Sequence, residues 1–352
     1  MDSITQGLLG GVIAQLGFRQ RIGREATWVA AGAAIVPDLD ILLTPLMAAL
    51  GLETGPLDRI VVHRSYSHSL LVAPLIALPI ALAWWSLRRR RGPDPPRFGL
   101  LYALVLAAVV SQPLLDVFTS YGTQILLPIT GHRYALDAVP IVDIFYTPVL
   151  ILTLLACYLL RRLRGEERAR RTTLVVGWAG VLLSTAYLGA GRLAHDAAIE
   201  RGRAALPGER IERIEAYPMI PTILLWRVVA RLPDEWVAMR VHLWGGQPRM
   251  ERAPVGRGPR IARARGLPEA RTFDWFAGGM VRYAVEPAGA DHVVELHDMR
   301  YAMSPEGVHG LWTLRVRLGA DDRVEEVSFE RHHRRQDVGA FVGRIWRETW
   351  NP

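Results

Sequence analysis

Between Ile4 and Gly191 the chain reads as long apolar runs broken by short polar segments, and after Arg192 that pattern stops. This contrast limits the fold more than any average composition does. A helix rises ~1.5 Å per residue, so about 20 apolar residues cross the ~30 Å hydrocarbon core of a bilayer. Six segments are read as spans: Ile4–Phe18, Ala26–Leu50, Ser69–Leu87, Phe98–Phe118, Ile141–Leu160 and Thr173–Gly191. The first is short and the second long for the purpose. Helices buried in a soluble protein are the lesser reading, because those seldom run so far without a charged face. The expected fold is an α-helical polytopic membrane domain over residues 1–194, followed by a soluble α+β domain with an antiparallel sheet over residues 195–352.

All 42 basic residues are arginine, and the formal charge is +8. Such an excess can mark a nucleic-acid binder, but its distribution argues otherwise. Arg19, Arg21 and Arg24 lie in the first loop, five arginines from Arg88 to Arg97 in the third, and six from Arg161 to Arg171 in the fifth. The alternate loops hold only Arg59, Arg64 and Arg133. Short arginine-rich loops stay in the cytoplasm. The bilayer is therefore the expected partner and nucleic acid is not, with the location a cytoplasmic (inner) membrane and the C-terminal domain outside the cytoplasm. The N-terminus lacks the basic region of a cleavable signal. The single cysteine, Cys157, sits in an apolar run, which excludes an internal disulfide and a cysteine-based metal site.

Ionisable residues within spans are costly and usually functional. Asp38 and Asp40 interrupt the second segment as Pro37-Asp38-Leu39-Asp40, and His63 and His68 lead into the third. Asp116 closes the fourth, with Tyr121, Thr123 and Gln124 just beyond. The topology sends all of them to the non-cytoplasmic side, where carboxylates and imidazoles form a ligand set for a divalent metal. Each alone has a plainer reading. Pro37 predicts a helix break, the histidines suit an interface, and Asp2 suits an N-cap of the first segment. Straight helices would put Asp38 about 21 Å above Arg24, and His68 about 30 Å above Arg88. A shared site therefore requires a break at Pro37 or a cavity sunk into the outer leaflet.

At these residues the chain resembles the YdjM-like family of inner-membrane proteins. The matching stretches are Met1-Asp2-Ser3-Ile4-Thr5-Gln6, Pro37-Asp38-Leu39-Asp40, His63-Arg64-Ser65-Tyr66-Ser67-His68-Ser69 and Leu114-Leu115-Asp116, continuing through Arg133–Asp137 and Val142-Asp143. A further likeness is read at Leu225-Trp226-Arg227-Val228-Val229. The resemblance implies metal-dependent hydrolysis. Family members often carry histidine where this chain has Gln112, four residues before Asp116, and glutamine is the weaker ligand for zinc.

The expected activity is hydrolysis of a lipid or lipid-linked (phospho)ester at the extracytoplasmic face by metal-activated water. The cofactor is expected to be zinc, with manganese or magnesium as alternatives. Asp38, Asp40, His63, His68 and Asp116 are the candidate ligands, with Asp38, His68 and Arg64 as catalytic residues. Arg64, Tyr121, Thr123 and Gln124 are candidates for substrate binding. A membrane protein that binds metal or lipid without turnover is the alternative. Transport ranks last, because the cytoplasmic halves of the spans are bare of ionisable groups. In the soluble half, alternation predicts strands at Met280–Glu286, His292–Leu296, Leu311–Leu318 and Val324–Glu330, with a turn at Gly319–Asp322. Ala194 to Ala205 is expected to continue the last span as a helix. His332 and His333 read as part of a solvated charge run.

Overall fold

In the computed structural model, which describes residues 1–91, 96–331 and 338–350, two helices of the N-terminal half, over Glu25–Ile35 and Ala73–Arg91, turn mostly small residues inward. Contacts divide the chain into two units, Met1–Ala49 with Val62–Ala190, and Leu50–Val61 with Gly191–Pro352.

The helices are α1 (Ser3–Gln15), α2 (Phe18–Ile22), α3 (Glu25–Ile35), α4 (Leu43–Ala49), α5 (Asp58–Val62), α6 (Ala73–Arg91), α7 (Phe98–Asp116), α8 (Tyr146–Arg164) and α9 (Glu166–Ala204). On α6 the buried residues are Ala73, Ala77, Ala81 and Trp84, and on α3 they are Ala26, Ala30, Ala33 and Ala34. Small side chains let backbones approach where lipid supplies no hydrophobic drive between helices. Gly10 of α1 shows the limit: a Cβ there would meet the Ala30 carbonyl and lie 2.8 Å from Ala34 Cβ. Outward, α8 presents Ile151, Leu152, Leu155, Tyr158 and Leu163.

Four stretches are long and apolar enough to cross a membrane: Glu25–Ala49, α7, α8 and α9. A bent pair, Asp58–His68 with α6 at 70°, would make a fifth. The expected six spans thus become four to five. The first segment accounts for the step to five, and the bend before α6 for the step to four. Helix α1 has 13 residues and ends where Gly17 takes φ 105, so it reaches only about 20 Å. The second segment breaks as Pro37 predicts, with Val36–Leu42 winding as a 3-10 helix between α3 and α4.

The basic loops meet at one end of this unit. Glu166 pairs with Arg19 at 2.8 Å and with Arg24 and Arg161 at 3.4 Å, joining the first and fifth loops. Glu25 binds Arg88 at 3.2 Å and accepts from Trp84 Nε1 at 2.9 Å, which ties in the third.

The second unit holds two four-stranded antiparallel meanders. The first is β1 (Arg213–Pro218), β2 (Leu225–Arg231), β3 (Glu235–His242) and β4 (Arg249–Pro254); α10 (Pro259–Arg265) and α11 (Pro268–Phe276) lead to the second. That comprises β5 (Val281–Ala288), β6 (Asp291–Asp298), β7 (Trp312–Leu318) and β8 (Val324–Arg331), before α12 (Val338–Trp350). The four predicted strands fall on the second sheet, and Gly319–Asp322 is its β7–β8 turn, closed by Gly319 N–H donating to Arg323 O at 2.9 Å. In the first sheet the central strand β2 escaped the alternation test for a physical reason. Leu225 to Ala230 are all buried, Trp226 and Val228 in a core with Ala194 and Ala198 of α9, and Val229 in a second core with Met280 and Met299. A strand covered on both faces does not alternate. His332 and His333 lie outside the described residues.

Candidate functional site

The buried stripe of α7 runs Leu101, Leu104, Val105, Ala108, Val109 and then Gln112 and Asp116. The periodicity that packs the helix therefore delivers two polar groups to the interior at its far end. The 3-10 turn at Val36–Leu42 buries Asp38 and Asp40 while Leu39 and Ile41 stay exposed. A second short 3-10 turn, Tyr66–His68, buries His68 completely just before the bend into α6. Three elements thus deliver acids and an imidazole to one place.

His68 Nε2 lies 3.4 Å from Asp38 Oδ1 and 3.4 Å from Asp116 Oδ2. Ligand atoms of Asp38, His68 and Asp116 all fall within 4.8 Å of one another, and all three residues are buried. The other imidazole nitrogen is oriented by a chain of bonds. Ser67 Oγ donates to Asp40 Oδ2 and lies 2.8 Å from His68 Nδ1. With the serine proton spent on Asp40, its oxygen accepts from Nδ1–H, and in the neutral imidazole this leaves Nε2 without a hydrogen toward the two carboxylates.

Asp40 and His63, expected as ligands, stand one layer behind the three. Asp40 Oδ1 bonds His63 Nδ1 at 2.7 Å, and Asp40 Oδ2 accepts from the Arg64 backbone N–H at 3.0 Å. The difference arises from winding. In the 3-10 turn Asp38 and Asp40 are both buried, yet Asp38 meets Gln112 on α7 whereas Asp40 meets the His63–His68 segment.

Arg64 does not project freely. Its guanidinium gives one nitrogen to Asp116 Oδ1 at 2.8 Å and another to Thr119 Oγ1 at 2.9 Å. Its backbone sits in the left-handed region at φ 60, a conformation costly for a residue with a Cβ. The bond from Arg64 N–H to Asp40 and the bond from Gln124 N–H to Arg64 O at 3.1 Å hold it there. Tyr121 packs against this arginine, its ring 5.0 Å from Arg64 Cζ, 4.9 Å from Arg133 Cζ and 5.1 Å from the His63 ring. Thr123 pairs through its backbone with Tyr134. Of the residues expected to bind substrate, Arg64 and Tyr121 border the cluster. Thr123 and Gln124 shape the loop beneath it.

The start of α1 completes the enclosure. Asp2 caps that helix, accepting from Thr5 N–H at 2.9 Å. Ser3 Oγ donates to Asp38 Oδ2 at 2.9 Å, Gln6 Nε2 donates to Asp116 Oδ1 at 3.1 Å, and the Met1 amino group pairs with Asp116. Ser3 and Ser67 were missed as site residues in sequence because neutral polar side chains do not stand out there, and Met1 because it enters through its amino group and not its side chain. Asp143, prominent in the sequence, caps α8 instead, accepting from Phe145 and Tyr146 N–H at 2.8 and 2.9 Å.

In the second unit the buried charges of Arg227, Asp298 and Arg300 find partners within the protein. Arg227 donates to the carbonyls of Met299 and Pro305, both at 2.8 Å, and burial pulls its pKa down to about 10, so it stays cationic at neutral pH. Asp298 and Arg300 close on each other at 2.7 Å.

A family model described as YdjM inner membrane protein matches residues 1–197, which takes in every residue of the cluster. The match ends before Leu225–Val229, so it does not reach the likeness read in the soluble half. No curated protein and no solved structure matches the chain.

Proposed function

The chain belongs to the YdjM inner membrane protein family, and from that premise we propose a membrane-bound metal-dependent hydrolase working at the extracytoplasmic face on a lipid or lipid-linked phosphoester. One observation carries the reading: Asp38, His68 and Asp116, from three separate elements, are all buried and bring ligand atoms within 4.8 Å of one another. Two carboxylates and one imidazole suit a divalent cation. The neighbouring Gln112 fits as well, because its buried Oε1 has no partner among the described residues.

A divalent cation held there would lower the pKa of a bound water and offset charge developing on the attacked phosphoryl group. The chain's own groups supply the rest. Asp40 fixes the bare nitrogen of His68 through Ser67, as outer carboxylates do for ligating histidines. His63, partly exposed and tied to Asp40 through Nδ1, keeps Nε2 as a basic nitrogen able to take the water proton. Arg64 anchors Asp116 and holds positive charge beside the cluster, where an anionic oxygen would bind. The cluster stands apart from the arginine-rich loops, and Leu39, Ile41, Leu42 and Leu43 beside it expose apolar side chains, which favours a substrate presented from the bilayer. The C-terminal unit belongs on the same outer side in this reading, following the arginine distribution.

The test is release of phosphate or headgroup by purified protein from phospholipid vesicles, with and without chelator. Turnover abolished by chelator and by His68→Ala is expected. Turnover indifferent to both would end the proposal. A non-catalytic role draws support from one feature, the Gln112 amide nitrogen within 2.9 Å of Asp38, since such a bond also suits a purely structural polar network. Stoichiometric metal without turnover would favour that role.

A further inference from the structure

Gln112 is fully buried, and its Nε2 is placed unlike an ordinary amide. It lies 2.9 Å from Asp38 Oδ1, 2.8 Å from His68 Nε2 and 2.8 Å from Asp116 Oδ2. These three atoms belong to the three residues that could share a cation. An amide nitrogen has two hydrogens and here faces three acceptors, so it cannot satisfy them all. Meanwhile Gln112 Oε1, also buried, finds no donor among the described residues. A buried acceptor without a partner costs free energy. Both faults belong to one side chain, and turning the amide over exchanges its two ends. An oxygen facing three acceptors is repelled by them unless a cation lies between.

We infer that Gln112 is the specificity-determining residue of this site, presenting Oε1 as a fourth donor and biasing the site toward manganese or magnesium and away from zinc. The inference rests on the metal reading proposed above. With Gln112 the set is three oxygens and one nitrogen, from Asp38, Asp116, Gln112 and His68. Carboxylate and carbonyl oxygens suit magnesium and manganese, whereas imidazole suits zinc. Imidazole at position 112 would make the set two and two. The neighbours support such a switch. Asp116 is one turn further along α7, where residues four apart share a face, and His68 is already oriented through Nδ1 by Ser67.

The test is metal binding by the full-length protein in detergent, titrated separately with manganese and with zinc against a chromogenic chelator. Wild type is compared with Gln112→His and with Gln112→Met, which keeps the length and removes the oxygen. In Gln112→His the ratio of zinc to manganese affinity should rise about tenfold or more, and in Gln112→Met manganese affinity should fall about tenfold. Manganese held equally by wild type and Gln112→Met, or an unchanged ratio in Gln112→His, overturns the assignment while leaving the metal site standing. Wild-type protein that takes up neither cation overturns the metal reading and the assignment together.

Discussion

At the arginine-rich end of the helical unit, Glu166 is 46% exposed and gathers Arg19, Arg24 and Arg161 around it. At the other end Asp116 is 0% exposed and gathers Arg64, His68 and Gln6. Both are carboxylates ringed by donors, and both tie separate segments together. They differ in solvent. Exposed pairs are screened by water and ions and are weak. A buried carboxylate must find partners within the protein, so every neighbour is committed, and removing one leaves another stranded. The exposed end is a topological marker and the buried end is where chemistry is expected.

The largest predicted effect strikes the buried end. Asp116→Ala strands the Arg64 guanidinium and the His68–Gln112 pair, and should cost about 3–5 kcal/mol. Thermal unfolding in detergent with chelator present isolates this loss from any loss of metal. A shift no larger than that of the Glu166 variant described below would break the comparison. Next in size is Gly10→Val, which drives a side chain into the Ala30 carbonyl and Ala34. Overpacking of this kind costs about 1–3 kcal/mol. Displacing α1 also carries Ser3 and Gln6 away from Asp38 and Asp116, so activity should fall along with stability. Activity retained at full level would separate α1 from the site. Smallest is Glu166→Ala at the exposed end, expected to cost under ~1 kcal/mol. Raising the salt should shrink the difference from wild type further.

The site was legible in the sequence to the extent that charge is conspicuous in an apolar run. Asp38, Asp40, His63, His68 and Asp116 announce themselves that way, and the alternation of arginine-rich loops puts them on one side. The sequence could not rank them. Whether Asp38 or Asp40 meets α7 depends on a 3-10 turn whose pitch the letters do not give. The orienting chain through Ser67 and the bond from Ser3 to Asp38 are invisible for the same reason, because a neutral hydroxyl gives no signal of the carboxylate it meets 27 or 35 residues away. Likewise α1 looked like a span because its composition is apolar, although 13 residues cannot reach across the hydrocarbon core. In the C-terminal unit the second sheet showed itself by alternation, and β2 of the first did not because it is covered on both faces.

The claim on which all else depends is that Asp38, His68 and Asp116 together hold a divalent cation. Elemental analysis of detergent-purified protein addresses it directly, with wild type set beside Asp38→Ala and His63→Ala. Stoichiometric metal in wild type, lost in Asp38→Ala and kept in His63→Ala, is the predicted result. Metal absent from wild type, or retained in Asp38→Ala, would contradict it.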